Sequence, residues 1–115
     1  MNILDAIAAI LNIPGIFKGF LPDKPDTAVA VTEYDGGNAP AQYFGATAFS
    51  HSVQARSRSP DAAAAYQKAA QIAIKLNRHD NAGLSVLQTS PILDIGMDNK
   101  SRHEYTVNFK ITRKD

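Results

Sequence analysis

The chain has 115 residues, a formal net charge of +1 and no cysteine. That length holds one domain with its own core and not two, and the missing thiols exclude disulfide frameworks, thiolate zinc sites and cysteine nucleophiles while leaving the redox compartment undetermined. Near-neutral charge argues against a domain whose main partner is a nucleic-acid backbone, although a local basic patch is not forbidden.

Residues 1–12 predict an amphipathic helix, with Ile3, Leu4, Ile7, Ile10 and Leu11 on one side and Asn2 or Asp5 serving its first turn. The apolar run within it, residues 6–11, is far shorter than the ~20 residues of a membrane-spanning helix. No basic segment precedes it and Asp5 stands where a secretory signal would want positive charge, so the expectation is a soluble protein made in the cytoplasm. Pro14 and Gly15 end the helix. An arm follows in which Ile16, Phe17, Phe20 and Leu21 stand among two glycines and flanking prolines. Such residues need burial, either by closing one end of the core or against another subunit.

Residues 23–26 read as a turn. Residues 27–34 alternate as a first strand, with Val29 and Val31 on one face and Ala28, Ala30 and Thr32 on the other. The segment 35–42, with Gly36, Gly37 and Pro40, reads as a loop, and no phosphate-cradle motif follows its glycines. Within 44–57 lies a second strand: Phe49, His51, Val53 and Ala55 alternate with Ser50, Ser52, Gln54 and Arg56. His51 falls on the apolar side, where a hydrogen-bonded structural histidine is expected.

The segment SPDAAAAYQKAAQIAIKL, residues 59–76, organises the rest. Ser59 suits a helix cap, Pro60 the first helical position and Asp61 the positive end of the helix dipole. Ala62, Tyr66, Ala69, Ala73 and Leu76, with Ile72 beside them, form an apolar stripe, mostly small, that lets the helix lie close to a sheet. The helix runs out over 77–83. Residues 84–95 predict a third strand broken at Pro91, which belongs at an edge or bulge. Asp98, Asn99 and Lys100 suit a hairpin tip. The last strand, 103–113, places Tyr105, Val107, Phe109 and Ile111 on the core side and Thr106, Asn108, Lys110 and Thr112 on the wet side.

The expected fold is α+β in αββαββ order: a mainly antiparallel four-stranded sheet with helices packed on one face. Residues 1–115 form one domain, with helix and apolar arm over 1–22 and, over 27–113, the sheet and a central helix at 60–78. No catalytic constellation, metal set or cofactor motif is legible. His51, His79 and His103 lack metal spacing, and Asp94, Asp98 and Glu104 read more simply as a charged hairpin tip than as a divalent-ion site.

Gln54, Arg56, Arg58, Pro60, Asp61, Tyr66, Pro91, Asp98, Tyr105 and Phe109 together follow a pattern. A strand ends in Q-x-R-x-R, a helix starts at Pro-Asp and carries small residues and a tyrosine, and a polar-proline-apolar stretch and an Asp-rich turn lead into an E-Y-x-x-x-F-x-I strand. Over residues 29–112 the chain resembles the minor capsid or tail-completion proteins of tailed bacteriophages, the group that includes tail terminators. The resemblance implies a structural virion protein with no cofactor and no catalytic residues. It would form a homo-oligomeric ring, commonly of six subunits, on the tail tube, joining it to the head-neck connector at the tail-neck junction. DNA would pass through the lumen without sequence-specific binding, and no membrane is involved. The expected subunit interface takes in Ile16, Phe17, Phe20, Leu21, Tyr43 and Phe44, and the lumen or polar sheet face Gln54, Arg56, Arg58, Asn108 and Lys110. The competing reading is a small nucleic-acid-binding or metal-dependent nucleic-acid-processing module of αββαββ architecture.

Overall fold

The computed structural model describes residues 2–43, 46–81 and 83–114, with side chains described outside 35–49, 81 and 114. Helix α1 (Ile3–Leu11) begins where Asn2 caps it, its side chain accepting from the Asp5 N–H at 2.8 Å. Ile3, Ile7 and Leu11, each four residues apart, are its buried face. The helix stops at Asn12, which takes a left-handed conformation (φ 51°) that asparagine tolerates better than most residues.

Helix α2 (Ala62–Leu76) starts later than expected. Asp61 is the cap, accepting from Ala63 N at 3.1 Å, and Pro60 stands outside the helix. Ser59 accepts from Asp61 N at 3.2 Å, one step upstream. The buried stripe is Ala65, Ala69, Ile72, Ala73 and Leu76. Ala65 takes the place assigned to Ala62 and Tyr66, and the buried Ser57 hydroxyl on the adjoining strand donates to the Ala65 carbonyl at 2.9 Å. Tyr66 faces outward, and its ring meets Tyr105 edge-on at 5.6 Å.

The sheet is larger than the four strands expected. Strands β1 (Phe17–Lys18), β2 (Ala28–Tyr43), β3 (Ala46–Ser59), β4 (Asp80–Asn81), β5 (Leu84–Gln88), β6 (Leu93–Met97) and β7 (His103–Lys114) form one sheet. Six run side by side as β1-β2-β3-β7-β5-β4, and β6 joins on β7. All pairings are antiparallel except β1 with β2. The apolar arm is therefore partly regular, with Phe17 beside Ala30 and Lys18 beside Val31.

Two further departures follow from long-range pairing. Residues 35–42, expected as a loop, belong to β2. Their turn-forming residues sit at register shifts: Tyr34 pairs Ser52 and Asn38 pairs Ser50, so four steps on β2 oppose two on β3, and a second shift lies between Asn38 and Ala41. Gly36, Gly37 and Pro40 thus fall where the ladder is irregular, as bulges favour. The expected third strand is split in two around Pro91. Both halves pair with one edge of β7, β5 along residues 109–113 and β6 along 103–106. Across the break, Thr89 N donates to the Asn108 carbonyl at 2.8 Å and the Ser90 hydroxyl accepts from Asn108 N at 2.9 Å. A side chain there replaces a ladder partner.

Register assigns the faces. Val29 and Val31 of β2, Val53 and Ala55 of β3, Val107, Phe109 and Ile111 of β7 and Leu84 and Val86 of β5 share one side. They form a single buried cluster with Ile3, Ile7 and Leu11 of α1 and Ile72, Ala73 and Leu76 of α2, so both helices cover this face. The other face carries Ser50, Ser52, Gln54, Arg56, Asn108, Lys110 and Thr112.

Candidate interaction surfaces

One end of the polar face is closed by residues 23–26, held by two buried arginines. Arg58, 4 % exposed, donates from Nε to the Asp26 carbonyl (3.1 Å) and from Nη2 to the carbonyls of both Pro25 (2.6 Å) and Asp23 (3.2 Å). Arg102, 5 % exposed, holds Asp98 (Nε to Oδ2, 2.8 Å), Asp23 (2.9 Å) and Asp26 (3.3 Å). In the turn before β7, Asp98 also accepts from the N–H groups of Arg102 (3.0 Å) and Lys100 (2.9 Å). The Arg102 N–H first, with its guanidinium and the Lys100 N–H, lowers the Asp98 carboxyl to about 2. Asp23 is lowered too, by its bonds to Lys100 and then Arg102. The hairpin tip expected at residues 98–100 is present, and its acid serves structure.

Of the residues expected on the polar face, Gln54 and Asn108 sit side by side and bond at 3.1 Å. Arg56 lies 3.4 Å from Glu104. Lys110 is exposed. Arg58 departs from the expectation: its register places it on this side, but the 23–26 turn covers it. Nothing local in the sequence signals that the guanidinium of Arg58 or of Arg102 is buried. His51 meets Glu33 at 2.7 Å, as a hydrogen-bonded structural histidine should. Asp94, Asp98 and Glu104 do not converge, and among the described residues no group of three metal-capable side chains occurs.

Exposed apolar side chains lie on α2, at Tyr66 and Ile74, and along the sheet edges. Ile16 packs on the core and Phe17 and Leu21 are half-buried, whereas Phe20 is 65 % exposed. Tyr43 ends β2, its side chain outside the described residues, as is Phe44 altogether. An unpredicted strip lies on β6, where every residue is exposed and Leu93, Ile95 and Met97 reach 40 %, 44 % and 60 %. The signal for it was Pro91, which marks an edge strand. A cavity of about 530 Å³ between residues 13–17 and the start of α2 is lined mainly by apolar groups, including Ile13, Phe17, Val29 and Ala64.

A broad polar sheet face, apolar edges and arginines committed to internal contacts define a protein that works by surface contact. The family model described as bacteriophage tail terminator protein matches residues 3–115, and the chain belongs to that family. It is accordingly a structural protein of the phage tail and a virion component, associated with other virion proteins, and not an enzyme. In fold it is similar to a chain from the virion of a native gene transfer agent (GTA) particle, with a TM-score of 0.63 at 16% identity, over 95% of this chain and 84% of that one. No curated protein sequence matches it.

Proposed function

We propose that the protein forms a homo-oligomeric ring, of six subunits by resemblance to the family, that caps the tail tube and joins it to the head-neck connector. Synthesised in the host cytoplasm, it would act at the tail-neck junction, with DNA passing through the lumen unread. The observation that carries this reading is the polar face of β3 and β7, which lies opposite the face that α1 and α2 cover and is rich in hydroxyl and amide groups. Binding to a phosphate backbone needs available cations. Here Arg56 lies against Glu104 and Arg58 is turned onto backbone carbonyls, so the face is hydrophilic without being strongly basic. Such a surface suits DNA that must slide past and not be held.

Negative-stain electron microscopy of the purified protein, alone and mixed with its tail-tube protein, tests this. Closed rings, or rings capping tubes, are expected. Dispersed monomers under both conditions would overturn it.

A further inference from the structure

We propose that the ring closes edge to edge: β6 of one copy docks against β1 and residues 19–21 of the next. The proposal rests on the ring reading and names its interface. The two edges are the opposite sides of one sheet, and register puts them at the same level. Phe17 pairs Ala30, Ala30 pairs Arg56, Arg56 pairs Thr106 and Thr106 pairs Leu93, so a single row runs from β1 to β6. Copies joined through these edges meet without a step along the strands, and a head-to-tail contact with no axial step closes into a ring where a stepped one climbs into a filament.

Direction and chemistry agree. β1 runs parallel to β2, while β6 is antiparallel to β7, which itself runs with β2 through two antiparallel pairings. The facing strands of neighbouring copies are therefore antiparallel. β6 offers Leu93, Ile95 and Met97, and the opposite edge offers Phe17 and the 65 % exposed Phe20. An exposed apolar edge strand is an association hazard that monomers blunt with lysine or proline, and β6 contains neither. Its one charge is Asp94, which makes no ion pair among the described residues. The charge on β1 is Lys18, which pairs with Asp5 of its own chain at 2.7 Å and still has 46% of its side chain exposed, open to a second carboxylate. Asp94 lies beside Tyr105 and Lys18 beside Val31, so register sets both on the helix-covered side of the sheet. Opposite charges thus lie diagonally across the seam, two rows apart on one face and within reach of a lysine side chain, beside the apolar groups, and the occupant of the β6 edge is a second copy of this chain.

The test uses the natural absence of cysteine. A chain carrying Phe20→Cys and Ile95→Cys is assembled under the conditions that give rings, oxidised mildly, and run on a non-reducing gel. Within one chain the two edges are four strand spacings apart, ~19 Å, too far for an internal disulfide. The expected result is a ladder of linked multimers up to the full ring, reversed by reductant, with neither single-cysteine chain giving one. Rings visible by microscopy with unlinked chains on the gel would overturn the edge pairing and leave the ring reading standing. A bond from Ile95→Cys to a cysteine scanned across the tail-tube protein, in place of the ladder, would also overturn it. Failure of the unsubstituted chain to form rings at all would remove both readings.

Discussion

Phe109 is fully buried between β3 and β5 at the centre of the cluster. Phe109→Ala should cost about 3–5 kcal/mol, read as a lower denaturation midpoint at unchanged slope. Phe20→Asp is the contrast: at 65 % exposure it should move stability by no more than about 0.5 kcal/mol while reducing ring yield. Asp98 sets a pH response. Its folded value of about 2 lies below the ordinary 3.8, so its contribution is complete above about pH 4 and is lost as the pH falls towards 2. Asp98→Asn should therefore flatten the acid limb of a melting-temperature profile between those values. Asp23 and Asp5, lowered in the same direction, keep some slope in the variant.

Among the elements, the 23–26 turn depends on contacts from strands far away in sequence. Arg58→Ala should destabilise by about 2–3 kcal/mol, since three charge-assisted bonds to carbonyls are removed at once. Amide hydrogen exchange should localise the loss to residues 23–27, leaving α2 protected. Asp61→Ala should cost about 1 kcal/mol by removing the α2 cap, and its exchange signature should lie in the first turn of that helix. Helix α1 and the alternation of β7 were legible because each is written in a local period. The two-residue β1 carries no period to read. The local signal for β2 ends at Tyr34 because Gly36, Gly37 and Pro40 have strong turn preferences. Pairing with β3 tolerates them by shifting register.

Taken whole, the molecule measures 51 × 23 × 22 Å, with a long β2–β3 hairpin and the β1 and β6 edges on either side. A ring made through those edges would run its sheets round the circumference. It would put one face of every sheet towards the axis, which is why the polar face and the edge contacts form one prediction: blocking the edges should abolish the ring without unfolding the chain. Circular dichroism together with solution mass on Ile95→Asp checks this, with native secondary structure and monomer mass expected.

The amino-acid sequence by itself determined the α+β class, both helices, the core side of β3 and β7 and the residues that carry the family pattern, because capping, alternation and helical spacing are local physics. Tertiary structure alone decided the size of the sheet, the burial of Arg58 and Arg102 beneath the 23–26 turn, and which apolar residues stay exposed. Whether a guanidinium or a leucine meets solvent depends on what the rest of the chain lays over it. That covering comes from segments tens of residues away, and no local period records it.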